Sequence, residues 1–254
     1  MNTYSSMTDV IVQAHPTNFT HRRNQPIRKI TPHHVAGNLS VEQVGRIFQN
    51  ESRNASSNYA LGRGRIAGIV PEESRAWTSG SPNNDHQAIT IEVSNSANGH
   101  PWPILDSDFD LLVDFCADLI RRNSTITRQD GVTPGLWYDG TANGSLTRHN
   151  TFMATTCPGP TLQARFPELV SRVNSLLDLN LEPLPLQKLN PQPPINLLLL
   201  VQKVIRGNYG NQPQRHRNLM NKGLTYEQAN EVQRQVNLNW DSTKQSWKKP
   251  IKLY

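Results

Sequence analysis

The chain has 254 residues, 26 Lys/Arg against 20 Asp/Glu for a formal charge of +6, and 35% apolar residues; this is room for one large domain or two unequal ones. Its longest apolar run, from Ile195 to Val201, is broken by Asn196 and falls well short of the roughly 20 residues of a membrane-crossing helix. Two cysteines, Cys116 and Cys157, cannot build a disulfide framework and read as reduced.

In chain order, the first residues lack the basic start and apolar stretch of a secretory leader. Pro26 to His33 reads as a strand. Ser40-Val41-Glu42-Gln43 is a capping-box pattern opening a helix through Phe48. Tyr59 to Val70, with Gly62, Gly64 and Gly68, suggests two strands and a tight turn. Ala88 to Val93 alternates with β-branched residues and reads as a strand. Asp106 is placed to cap a helix to Arg122 with Phe109, Leu112, Phe115, Cys116, Leu119 and Ile120 inward. Leu162 to Leu177 predicts a further helix, with Phe166, Leu169, Val170 and Val173 inward. Mixed β and α segments in this order predict an α/β or α+β layer fold.

A stretch carrying Pro183, Pro185, Pro191, Pro193 and Pro194 favours extended, semi-rigid chain and cannot continue a helix. Beyond it, Gly207 closes a helix from Ile195 to Arg206. Pro213 and Gly223 bracket a second helix, and Thr225-Tyr226-Glu227-Gln228 caps a third to about Asn237. So short a segment has a marginal core, and a three-helix bundle is the expected solution. The domains predicted are 1–178, a linker 179–194, a helical bundle 195–237 and a basic, mobile tail 238–254. Residues 179–254 hold 11 of the 26 Lys/Arg and 4 of the 20 Asp/Glu, so the positive charge belongs to that part. Such a surface attracts nucleic acid, anionic lipid or an anionic polymer such as a cell-wall glycan, with plain solubility the default.

Three short stretches carry metal-binding chemistry: Thr31-Pro32-His33-His34-Val35, Arg148-His149-Asn150 and Ala154-Thr155-Thr156-Cys157-Pro158-Gly159. Two histidines and a cysteine suit a catalytic Zn²⁺, where three protein ligands leave a fourth position for water. Cys157 follows His149 closely enough for one loop to bring both to an ion. Either His33 or His34 would supply the third donor. A carboxylate beside the water serves as general base. Glu92 is the candidate, although on an alternating strand it faces either solvent, the default, or a cleft. His15, His21, His86, His100 and His216 have no partner at suitable spacing and read as surface residues.

Residues 26–175 resemble the type-2 N-acetylmuramoyl-L-alanine amidases, a family that includes phage endolysins and peptidoglycan-recognition proteins. The resemblance rests on His33-His34, on Ser56-Ser57-Asn58-Tyr59-Ala60-Leu61-Gly62 with Gly64, on Val70-Pro71-Glu72 with Ala76-Trp77, on Ile89 to Val93, and on His149 with Thr155-Thr156-Cys157-Pro158-Gly159. It implies a mixed central sheet flanked by helices, and Zn²⁺ held by His33, His149 and Cys157. It further implies Glu92 as the acid that activates water, Thr155 as a stabiliser of the tetrahedral intermediate, and Trp77 and Asn58 near the substrate. Ser57 stands where some members have a tyrosine, and Leu61 to Gly64 looks one residue short of the common turn.

The stretch from Val204 to Asn237 is similar to a cell-wall-binding repeat of pneumococcal phage lysozymes, a three-helix bundle. The resemblance implies wall contacts at Arg206, Tyr209, Asn211 and Arg215, the arginines suiting carboxylates of the stem peptide. Together the two resemblances imply a phage-type lysin made in a host cytoplasm and acting on peptidoglycan after release. A non-catalytic peptidoglycan receptor of the same fold is the first rival. A nucleic-acid-binding protein is the second; it lacks a recognised motif and base-stacking aromatics.

Overall fold

A computed structural model describes residues 4–178 and, further along, residues 200, 201, 203, 204, 215, 218, 219, 222, 224, 232, 236, 240, 241, 246 and 247. The chain divides into two compact units, Met1–Glu182 and Pro183–Tyr254.

The first unit is built on a five-stranded mixed sheet. Its strands are β1 (Val10–Ile11), β3 (Lys29–His34), β4 (Tyr59–Gly62), β5 (Arg65–Gly68) and β7 (Ala88–Val93). Their order is β1-β5-β4-β7-β3, with β4 and β5 antiparallel and the other pairs parallel. A short pair, β2 (Phe19–Thr20) and β6 (Arg75–Ala76), lies apart. The helices are α1 (Val41–Ile47), α2 (Pro82–Gln87), α3 (Asp106–Arg122), α4 (Pro160–Ala164) and α5 (Phe166–Asp178).

Because side chains alternate along a strand, the sheet has two distinct faces. Ile30, Tyr59, Leu61, Ile66, Ile89, Ile91 and Val93 join the inner stripes of α3 and α5 in one core. Ala60 and Ala67, with Ile69 and Val70, pack instead with Val41, Val44 and Phe48 of the α1 region. Both faces are covered, as parallel strands require. Residues Thr90 and Glu92 of β7 are thereby turned away from the α3 core.

Most expected elements appear with their local chemistry. The capping box of α1 is complete: Gln43 N–H donates to Ser40 Oγ and Ser40 N–H donates to Gln43 Oε1. The β4–β5 hairpin closes with Arg63 and Gly64, both at positive φ (54° and 71°), the geometry whose twist suits a two-residue hairpin. Asp108 locks this turn by accepting the N–H groups of Arg63 and Gly64 at 2.9 and 2.8 Å. Asp106 is therefore not the cap of α3: Leu105 holds that position without a side-chain bond, and Asp106 pairs with Arg165. The helix expected from Leu162 to Leu177 is two helices. Pro167 has no N–H to donate to the preceding turn, and the chain breaks at Arg165, whose guanidinium lies 3.6 Å from the Phe109 ring centroid.

Between β4 and α3 lies a buried polar cluster. Arg122 clasps both oxygens of Glu72 at 2.8 and 2.9 Å and also pairs with Asp118. Tyr59 donates its hydroxyl to Glu72, and Ser5 joins Tyr59 to Asp118. Removing one partner leaves the other charge stranded. Glu72→Ala is expected to lower unfolding stability by about 3 kcal/mol, read by urea denaturation; a change within ~0.5 kcal/mol, the size of an ordinary surface substitution, would contradict this account.

In the second unit, Val201, Val204, Leu219, Leu224, Val232 and Val236 form one buried apolar cluster. All but Leu224 are helical, and each of these helical residues falls in one of the three segments expected to be helices. The remainder of those segments, and the Pro-rich stretch 179–194, lie outside the described residues. The tail expected to be mobile contains a short antiparallel pair, β8 (Trp240–Asp241) and β9 (Ser246–Trp247). Among the described residues no helix is long and apolar enough to cross a membrane.

Candidate metal centre

His33 is the fifth residue of β3 and is 1% exposed. In the parallel ladder it pairs with Glu92 of β7, which in turn pairs with Ala60 of β4. Directly paired residues share a face, so the imidazole and the carboxyl stand side by side on the face away from α3. His34 is turned the other way, its ring edge-on to Trp102 with centroids 5.3 Å apart.

The other two donors arrive on one segment. Residues 145–147 run beside β3, with Ile30 N–H donating to Ser145 O and Thr147 N–H to Ile30 O. Thr147, Thr31 and Asn84 bond to one another beneath it. This delivers His149, on a 3-10 turn (His149–Thr151), to the end of β3. The loop then returns: Asn150 N–H donates to Cys157 O, and Cys157 N–H donates to Thr155 Oγ1. Gly159 follows at φ 82°, where a side chain would be strained by the backbone and its Cβ would meet His34 and Trp102 at 3.3 Å, so those neighbours would have to give.

Ligand atoms of His33, His149 and Cys157 all lie within 4.8 Å of one another. The two imidazole centroids are 4.8 Å apart, and Cys157 Sγ lies 3.3 Å from His33 Nδ1. Two donors on a tetrahedral Zn²⁺ stand about 3.5 Å apart, given Zn–N and Zn–S bonds of about 2.0 and 2.3 Å. His33 Nε2 and Glu92 Oε2 are sealed from solvent without a hydrogen-bond partner among the described residues, an arrangement that is costly unless something else satisfies the site. The donor set fits a thiophilic divalent cation, and it contains His33 and not His34.

The electrostatics agree with that fit. Burial pushes His33 well below the ordinary histidine range, with His149 and His34 adding to the effect, and burial lowers His149 as well. Both imidazoles are therefore neutral, the ligating form. Burial raises the Cys157 thiol, and nearby Glu92 raises it further; a coordinated cation reverses this and takes the thiolate. Glu92 is pushed by burial up to about 8, against a smaller opposing effect from Arg53, and a cation beside it would bring it down.

These groups line a cleft of about 340 Å³, within the range of small-ligand sites. Its apolar wall residues are Val35, Val44, Ile47, Phe48 and Ala55, and Trp77, Thr78, Thr155 and Thr156 also line it. The Trp77 indole N–H is bonded to Thr20 Oγ1 at 2.9 Å. Thr155 is exposed at the loop tip. The expectation for Asn58 is corrected. It is fully buried, donating to the carbonyls of Val70 and Pro71 and accepting from Thr90 N–H and Arg23, so it braces β4 rather than meeting a ligand. His86, expected on the surface, is buried and accepts from Asn24 N–H. Of the expected wall contacts, Arg215 is partly buried, while Arg206, Tyr209 and Asn211 lie outside the described residues. The apolar wall and Arg53, also in the cleft, went unsingled in the sequence. Val44, Ile47 and Phe48 carried a helical spacing, whereas a lone arginine in a polar loop carried no signal.

A mixed-sheet domain that brings two imidazoles, a thiol and a sheltered carboxyl to one cleft is a hydrolase-like scaffold with a metal-binding donor set. The family model described as N-acetylmuramoyl-L-alanine amidase matches residues 23–160, and the chain belongs to that family. A CW_7 repeat matches residues 199–239. No curated protein matches the chain. Among solved structures, a mutant of PlyL is similar at 17% identity and a TM-score of 0.50, covering 65% of this chain and 97% of its own. The amidase LysC from Clostridium intestinale URNW is 19% identical, covering 65% and 97%, with a TM-score of 0.46. The first likeness supports the fold.

Proposed function

We propose that the chain is a zinc-dependent N-acetylmuramoyl-L-alanine amidase of the phage-endolysin type, made in a host cytoplasm and acting on peptidoglycan after release. The observation that carries this is the convergence of His33, His149 and Cys157 within 4.8 Å, next to the unpartnered Oε2 of Glu92. When bound, Zn²⁺ would acidify a water and polarise the scissile carbonyl. Glu92 takes the proton of the attacking water and delivers it to the departing amine of L-alanine. Thr155, at the rim, donates its hydroxyl toward the developing oxyanion. Trp77 and the apolar wall exclude water and hold the sugar-lactyl portion. All three donors are present, which favours the enzyme over a non-catalytic receptor. Mass spectrometry of digested walls tests the reading: new N-terminal alanine and intact glycan strands are expected, and cut glycan or cut cross-bridges would refute it.

The second unit is read as a three-helix wall-binding bundle of residues 195–237, joined by the linker 179–194. Arg206, Tyr209, Asn211 and Arg215 are its candidate contacts. Tethering raises the local concentration of the catalytic unit at the wall. Truncation after Asp178 is expected to weaken wall binding by roughly 10²-fold or more while zinc stoichiometry is unchanged. Equal pelleting of both forms with purified walls would reject the anchoring role.

A further inference from the structure

Among the described residues lining the cleft, Arg53 is the one Lys or Arg and Glu92 the one carboxylate. Arg53 is exposed, and among the described residues its guanidinium makes no hydrogen bond or ion pair. It shares the cleft lining with His33, Glu92, His149 and Cys157, and its charge acts on the Glu92 carboxyl. The loop that carries it is held from below. Asn18, fully buried, donates its amide to the carbonyls of Phe48 and Asn50 at 2.9 and 2.7 Å and accepts Asn54 N–H at 2.9 Å. Ser56 Oγ, also buried, donates to Asn18 O, and Asn54 is held at φ 52°. A fixed turn thus presents an unpaired fork of donors into the cleft.

We propose that Arg53 is a specificity-determining residue that receives the free α-carboxylate of the second stem-peptide residue. The inference rests on the amidase reading. On one side of the scissile bond the substrate offers only N-acetyl, hydroxyl and ether groups. On the other, beyond L-alanine, the second residue continues the chain through its γ-carboxyl and leaves its α-carboxylate as the nearest anion. A guanidinium takes a carboxylate through two parallel N–H bonds, and a carboxamide satisfies that fork poorly. The cleft therefore selects stems whose second residue is not amidated.

The test uses the full chain and two matched muropeptides, one with α-carboxylate and one with α-carboxamide at the second residue, in versions ending in lysine or diaminopimelate. Affinity is measured by calorimetry with the L-alanyl stem peptides, and kcat and KM with the muropeptides. The wild type is expected to favour the carboxylate form by about tenfold. Arg53→Gln should abolish that preference by raising Kd and KM for the carboxylate form alone, and Arg53→Lys should retain part of it. Equal handling of both forms by the wild type, or an unchanged preference in Arg53→Gln, overturns the proposal. A preference that follows the third residue instead also overturns it. Carboxylate-selective binding that depends on Arg53, without any cleavage, upholds Arg53 as the anion receptor and refutes the amidase reading.

Discussion

Cys157→Ala is expected to lose zinc and hydrolysis together. The thiolate is the only anionic donor among His33, His149 and Cys157, so its removal leaves two neutral imidazoles to hold a dication. Loss of an outer-shell partner alone costs about 10–100-fold in metal affinity; loss of this donor should cost roughly a thousandfold or more. His149→Ala should behave alike, whereas His34→Ala should keep a full equivalent of metal, because His34 packs on Trp102 outside the donor set. Elemental analysis after dialysis and a chromophoric competitor read the result, with far-UV circular dichroism showing the sheet retained. Stoichiometric zinc in Cys157→Ala would end the assignment. Proton competition has a definite sign. The imidazoles are already neutral, since burial lowers both, and the thiol is raised. Binding then releases one proton from Cys157 and, below about pH 8, most of a second from Glu92, so affinity falls by between about ten- and a hundredfold for each pH unit of acidification.

Glu92→Gln separates the metal from the chemistry. The amide has the carboxyl's shape and cannot accept a proton, so zinc should remain while kcat drops by about 10²–10⁴-fold, the range for general acid–base groups. A rate within a few-fold of wild type would dismiss Glu92 as the base. The metal-free protein provides a second readout. The Glu92 carboxyl is raised from 4.5 to about 8 by burial, so the folded state favours its neutral form. Stability is unaffected below about pH 4.5 and is lost as pH rises through about 8. Without metal, Glu92→Gln should lack this decline and be more stable than wild type at pH 8. With zinc bound the difference should shrink, because a cation stabilises the carboxylate.

Strands and helices with strong periodicity were legible: Ala88–Val93, the inner stripe of Asp106–Arg122 and the Ser40 box all appear where the pattern places them. Two details depended on tertiary partners. Asp108 rather than Asp106 faces inward because the β4–β5 turn needs an acceptor. Helix α5 starts afresh because Pro167 interrupts the backbone ladder. The ligand residues were legible as donor types at workable spacing, but the choice between His33 and His34 required the strand's facing. Whether Glu92 met solvent or a cleft depended on α1 covering that face of the sheet, which no local pattern encodes. Asn58 stood near the substrate only by resemblance; that its amide is spent on the Val70 and Pro71 carbonyls depended on how the chain folds back after β5.

The pairing of His33 with Glu92 across β3 and β7 has one more implication. Their separation is an inter-strand spacing, about 4.8 Å, maintained by backbone amides and indifferent to side-chain fashion nearby. On the proposed reading, rim loops could lengthen, shorten or change composition without retuning the spacing of the strands that carry His33 and Glu92. The vulnerability lies in frame rather than in composition: a one-residue slip of β7 would bring Ile91 or Val93 opposite the imidazole and bury the acid in grease.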